Sequence, residues 1–309
     1  MKLVNDKQAF NPHDAATTAR FQALVRFASI EATPRQILTA DSLPGLLPEG
    51  TCVYVPFLPK GQFSDTLDAC QRLLESGLQP IPHIPARMAQ SRGQLRDWLA
   101  QLNENQVDRL LLIAGDSDSV AGPFPDTLAV LESGLLAEFR FHGIGVAAHP
   151  DGHPMADRAT LIQALGIKRE YARTTATRLW VVTQFTFDAD VVVNWLQSLG
   201  NVLEEVPVHI GLAGPTKVKT LIAYAAQCGV GASARLMLRR PGSARLLRAW
   251  TPDGMVRALV QFCLDNPDTL LRGIHLFPFG GLRRSAQWIQ EHSGPVEGQR
   301  RPFHESSVQ

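Results

Sequence analysis

The sequence predicts an α/β fold of the (β/α)8 TIM barrel type, and three observations predict it. Eight short apolar runs recur along the 309 residues, most of them followed by a stretch of helical periodicity. The runs are continuously hydrophobic, as strands covered on both faces are. The length suits one barrel of eight β-then-α units, and no Gly-x-Gly-x-x-Gly follows the first run to favour an open doubly wound sheet.

The eight runs lie at 23–33, 51–59, 79–85, 107–116, 141–150, 178–188, 206–214 and 271–279. Between them, residues 63–77 put Leu67, Cys70, Leu73 and Leu74 on one face and stop at Gly77. Leu95, Trp98, Leu99 and Leu102 follow the i, i+3, i+4, i+7 pattern of a helix packed on a core. "ADVVVNWLQSLG" and "TKVKTLIAYAAQCGVG" also end at glycines. The longest interval, about 214 to 271, predicts two or three extra helices before the last strand, including residues 232–250. The barrel is expected over 1–292, with a polar, Pro/Gly-bearing C-terminal tail over 293–309.

Composition narrows the function. A net charge of +1 gives no general attraction to nucleic acid or anionic membrane, so neither is an expected partner. No apolar run reaches the roughly 18 residues of a spanning helix. The acid-bearing N-terminus lacks a signal-peptide core. Cys52, Cys70, Cys228 and Cys263 have no metal-knuckle spacing and suit reduced thiols in a cytoplasmic protein.

Barrel enzymes build their sites at the C-terminal strand ends. The runs deliver Glu31, then His83, then Gly115 and Asp116, then His149 with His153 beyond it, then Gln184 and Asp188, and finally "FPFGGLRR". Carboxylates, imidazoles and an amide on one rim make an acid/base and hydrogen-bonding set. Asp116, in "AGDSDS", is equally suited to capping a turn or helix. Gln184 within an apolar strand needs a partner, a ligand or a neighbouring strand end. His149 and His153 have metal-ligand spacing only on a helix, which the surrounding prolines disfavour, so no metal is expected.

The motifs "GVAAHPDGHP", "VVTQFTFD" and "HIGLAGPTKVKTLIAYAAQCGV" resemble, in order and spacing, the catalytic barrel of methylenetetrahydrofolate reductase, over roughly residues 20–290. The resemblance implies an oxidoreductase interconverting methylenetetrahydrofolate and methyltetrahydrofolate, with FAD carrying the hydride and NADH or NADPH as co-substrate. It implies that Glu31 protonates the folate and opens its five-membered ring, and that Asp116 lies between flavin and folate. It places Gln184 on the pterin and Tyr224 as a stacking ring. His83, Gly115, Asp116, Ala148, His149 and His153 fall at flavin-binding positions. The family is often oligomeric, so a homo-oligomer is a possible state.

Two departures bear on the flavin phosphates: Ala114 stands where the family has arginine, and Glu170 aligns with a lysine. Lys168, Arg169, Arg87 and Arg283 are the candidate replacements. Two alternatives stay open beside a working flavoenzyme. One is a non-catalytic or flavin-free folate-binding homologue. The other is a metal-dependent barrel hydrolase using His83, His149, His153, Asp116 and His275.

Overall fold

The computed structural model describes residues 14–58, 61–115, 119–227 and 249–294. Eight strands close into a barrel in which every neighbouring pair is parallel. They are β1 (Ser29–Glu31), β2 (Cys52–Val55), β3 (Gln79–Pro85), β4 (Arg109–Ile113), β5 (Gly143–Ala148), β6 (Arg178–Thr183), β7 (Val208–Ala213) and β10 (Leu271–Phe277). A two-residue pair, β8 (Thr216–Lys217) and β9 (Ala249–Trp250), lies antiparallel outside the barrel. The (β/α)8 barrel is therefore the observed fold.

The helices start where the sequence places short oxygen-bearing side chains. Thr33 forms a capping box with Gln36 ahead of Pro34 on α2 (Pro34–Leu38). Asp126 caps α5 (Thr127–Glu132) and Asp157 caps α6 (Arg158–Thr174). Asp188, a rim acid by its position in the sequence, accepts from the Asp190 N–H as the cap of α7 (Ala189–Ser198). That carboxylate is used on the helix end.

The first run begins inside a helix. Asp14 caps α1 (Ala15–Arg26) by accepting from Thr17 N at 2.9 Å, and Phe21, Leu24 and Val25 turn to the core at i, i+3, i+4 spacing. Its strand is only the three residues of β1. In the long final interval a helix spans Asp253–Asp265; residues 228–248, which include most of the segment expected to be helical, lie outside the described residues. So does the tail from 295 onward. Among the described residues no helix is long and apolar enough to cross a membrane. Cys52, Cys70 and Cys263 are buried free thiols.

Alternation along the strands splits the core in two. Most buried residues pack between strands and helices. A smaller set, Cys52, Tyr54, Ile81, Leu111, Trp180 and Val182, fills the barrel itself. The Trp180 indole fits there because its register partner is Gly145: a Cβ at 145 would lie 2.7 Å from the ring. Its N–H donates to the Tyr54 hydroxyl at 2.8 Å, tying β6 to β2 across the interior. Gly145→Ala is expected to lower stability by about 1–3 kcal/mol through this overpacking. Urea unfolding checks it, and an unchanged midpoint would show that the indole has room to move.

Candidate active site

The ends of β1 and β10 meet although they are the first and last strands of the barrel. Their register pairs Ser29 with His275. The Ser29 hydroxyl and His275 Nδ1 are hydrogen-bonded at 2.9 Å, and His275 Nε2 faces the Glu31 carboxylate at 3.9 Å. Tyr54 closes the group, its ring 4.5 Å from His275 and 6.2 Å from His83. His83 and His275 are buried and the Glu31 side chain is one-fifth exposed, so the carboxylate is the member that reaches the rim.

Burial alone would raise the Glu31 carboxyl, but its interactions with His275 and His83 outweigh that and hold it below the usual glutamate range. A carboxyl that donates the ring-opening proton is ordinarily one with a raised pKa, whereas Glu31 is held low. At rest Glu31 is a carboxylate facing the His275 ring. His209, deeper in the barrel, is pushed down to about 3 by burial and then by His275, and stays neutral.

A second group lies on the β6 side. Gln184 follows β6, its backbone N–H donating to the Ala148 carbonyl at 2.8 Å. Its side-chain oxygen accepts from the Phe185 N–H at 3.0 Å. The partner expected of this amide is thus its own neighbour's backbone, and the NH2 end is left to donate elsewhere. Phe185, next in the chain, lies 5.4 Å from Phe277 and 4.7 Å from Phe279. Tyr224, on α8 (Val218–Gln227), stacks on Phe279 at 4.3 Å and is 38% exposed. Phe277 also meets His275 edge-on at 4.8 Å, so the aromatic wall continues into the Glu31 group.

The third group is the "HPDGHP" loop after β5. His149 and His153 face each other edge-on, 4.8 Å apart. The loop turns at Gly152, which has φ +91° and bonds back to the His149 carbonyl at 3.0 Å. His149 is pushed down to about 4 by burial, then by His153 and by Lys168 of α6. Gly115 has φ +91°, and a Cβ there would sit 3.1 Å from that of Pro85. Asp116 lies outside the described residues.

The structure therefore gathers Glu31 with His83, and joins Tyr224 through Phe279 and Phe277 to His275 of the same group; Gln184 enters through its neighbour Phe185. It sets Ala148, His149 and His153 on the neighbouring sector. Among the described residues no three His, Cys, Asp or Glu side chains form a metal-holding group. Ser29, Tyr54 and His275 as partners of Glu31 escaped sequence reasoning. The signal was the period-2 alternation of Gly273, His275 and Phe277, which puts all three on the inner face.

No protein-family model matches the chain. The fold is shared with an uncharacterised protein from Clostridium thermocellum that binds two copies of 5-methyl-5,6,7,8-tetrahydrofolic acid. That alignment has 12% identity and a TM-score of 0.60, and covers 89% of this chain and 99% of that one. A putative lyase/mutase from Burkholderia cenocepacia aligns with a TM-score of 0.44 and 13% identity over 89% of this chain and 86% of that one. A tryptophan synthase chain from M. tuberculosis aligns with a TM-score of 0.44 and 10% identity over 91% and 99%.

Proposed function

We propose that this barrel binds a reduced folate and interconverts 5,10-methylenetetrahydrofolate and 5-methyltetrahydrofolate by hydride transfer, as a cytoplasmic flavoenzyme using NADH or NADPH. The observation that carries this is the Glu31–His275–Ser29 array continued by the His275–Phe277–Phe279–Tyr224 rings, with the Gln184 amide next in the chain to Phe185 of that wall. A pterin needs that combination: planar apolar neighbours, a donor for its edge, and one proton-transferring group. The bound 5-methyltetrahydrofolic acid of the fold's neighbour supports the same ligand class.

The pocket's donors suit a flavin. Gly115, at φ +91°, presents backbone without a side chain, and His149 and His153 set two imidazole rings edge-on 4.8 Å apart. When bound, FAD supplies the hydride chemistry. His83, Gly115, Asp116, Ala148, His149 and His153 would hold it. Gln184 orients the pterin edge, and Tyr224 and Phe279 offer the stacking surface. Glu31 moves the proton at the nitrogen of the folate's five-membered ring. As a resting carboxylate it is set to accept the proton released on ring closure. In the ring-opening direction the proton enters through the Glu31–His275 pair. Ser29 fixes the imidazole by its bond to Nδ1.

The test is titration of the purified protein with 5-methyltetrahydrofolate, together with its visible spectrum. Expected are saturable folate binding and a flavin band near ~450 nm that bleaches with NADH or NADPH. Absence of folate binding refutes the function. Folate binding by a colourless protein that takes up no added FAD would instead establish the flavin-free homologue, which Ala114 and Glu170 favour. Gln184→Ala is expected to weaken folate binding by about 10-fold, the worth of one well-placed hydrogen bond, while flavin reduction by the nicotinamide is unchanged. Equal losses in both half-reactions would remove the pterin role.

A further inference from the structure

Two buried imidazoles hold the Glu31 carboxylate, and one side chain packs against both of them. His275 of β10 and His83 of β3 are the groups whose interactions keep Glu31 ionised against its burial. The Tyr54 ring of β2 lies 4.5 Å from His275 and 6.2 Å from His83. Its place in the barrel explains the reach. The strands run in the order β3, β2, β1, β10, and Tyr54 is the register partner of Glu31 itself. Neighbouring strands lie about 4.8 Å apart, so β2 and β10 stand roughly 10 Å apart with β1 between them. A phenol spans most of that gap and a leucine does not.

The phenol is itself anchored. Its oxygen accepts from the Trp180 indole N–H at 2.8 Å, and the indole fills the space that Gly145 leaves. Tyr54 is buried, which raises its hydroxyl well above the ordinary tyrosine range, so the ring stays uncharged. It supports the imidazoles without adding a second negative charge beside Glu31. His275 is also held by Ser29 at Nδ1, at 2.9 Å, and by the Phe277 ring, edge-on at 4.8 Å. His209 of β7 interacts with it from deeper in the barrel.

We propose that Tyr54, anchored by Trp180, is a positioning residue that holds the His275 and His83 rings toward Glu31. The support runs from Gly145 on β5 through Trp180 and Tyr54 to the imidazoles, and so from the barrel interior to the rim acid. That Glu31 then moves a proton on folate rests on the function proposed above; the support itself does not. Burial is the largest influence on Glu31, and it raises the carboxyl. Loosening the two rings leaves burial less opposed, so the carboxyl titrates at higher pH.

The experiment uses the full-length protein, Tyr54→Leu and Tyr54→Phe. Glutamate is isotopically labelled at its carboxyl carbon, and the Glu31 resonance is assigned with Glu31→Gln. Its protonation is followed by NMR between about pH 5 and 7, without folate. The unaltered protein should show a carboxylate over the whole range. Tyr54→Leu should raise the midpoint by about one pH unit or more. It should also slow the folate half-reaction on the order of 10-fold or more, with flavin reduction kept. Tyr54→Phe, which restores the ring, should bring both most of the way back. A Glu31 signal that titrates alike in all three proteins overturns the proposal. So does Tyr54→Phe shifted as far as Tyr54→Leu, because the ring would then not be the support. A shifted titration in a protein that neither binds nor turns over folate would uphold the support and refute the function. Should Tyr54→Leu fail to fold, Trp180→Phe decides. It removes the indole N–H and leaves Tyr54 in place, and the Glu31 midpoint should still rise; an unmoved midpoint overturns the proposal.

Discussion

Glu31→Gln is expected to reduce folate turnover by about 10²- to 10⁴-fold, the usual worth of a positioned proton-transfer group, while leaving flavin binding and its reduction by the nicotinamide intact. Glutamine keeps the size of the side chain and a hydrogen-bonding oxygen toward His275, so the barrel end keeps its shape. What it loses is the ability to take or give a proton. The same substitution removes the negative charge opposite His275, 3.9 Å away. Stopped-flow measurement of the two half-reactions checks the prediction. Only the folate half-reaction should fail. Near-normal turnover would move the proton transfer to another group, and loss of both half-reactions would mark Glu31 as a structural residue.

Acidification from pH 7 to 5 is expected to cost about 4 kcal/mol of stability, about 2 kcal/mol from each of two histidines. The folded protein holds His149 at about 4 and His209 at about 3, both lowered first by burial. Unfolded, each returns to about 6.5. Below that value the unfolded chain binds protons that the folded chain refuses, so stability rises with pH through the window and falls as pH drops from 6.5 toward 4. Depressed carboxylates such as Glu31 add their own loss only at lower pH, as it falls through their folded values. Urea unfolding at pH 7 and pH 5 measures the sum. His149→Gln and His209→Gln should each remove about half of the difference, whatever they do to absolute stability. Equal stability of the unaltered protein at both pH values would mean that neither ring is held neutral.

Most of the barrel could be read from the chain because strands covered on both sides leave uninterrupted apolar runs, and because the helices between them carry clear caps and stops. The first run misled for a physical reason: the apolar face of α1 runs straight into β1, so Leu24 and Val25 are one string with Ile30 in the sequence while lying on different elements. The site was legible in part. Glu31 and Gln184 stand out because polar residues at the ends of apolar runs need a reason. His275 as the partner of Glu31 did not, because their meeting depends on closure of the barrel by its two chain-end strands. Asp188 shows the limit from the other side. A carboxylate after a strand suits a cap as well as a catalyst, and only the Asp190 N–H in front of it decides. Lys168 was one of several basic residues on an amphipathic stretch; its burial depends on how α6 lies against its neighbours.

The indole wedged against Gly145 and bonded to Tyr54 has a consequence for traffic. Together with Ile81 and Leu111 it stops the barrel like a cork, so nothing that enters at the rim can leave through the far mouth. Under the proposed function, reactant and product would share one doorway, and whichever of them lingered there would delay the next arrival.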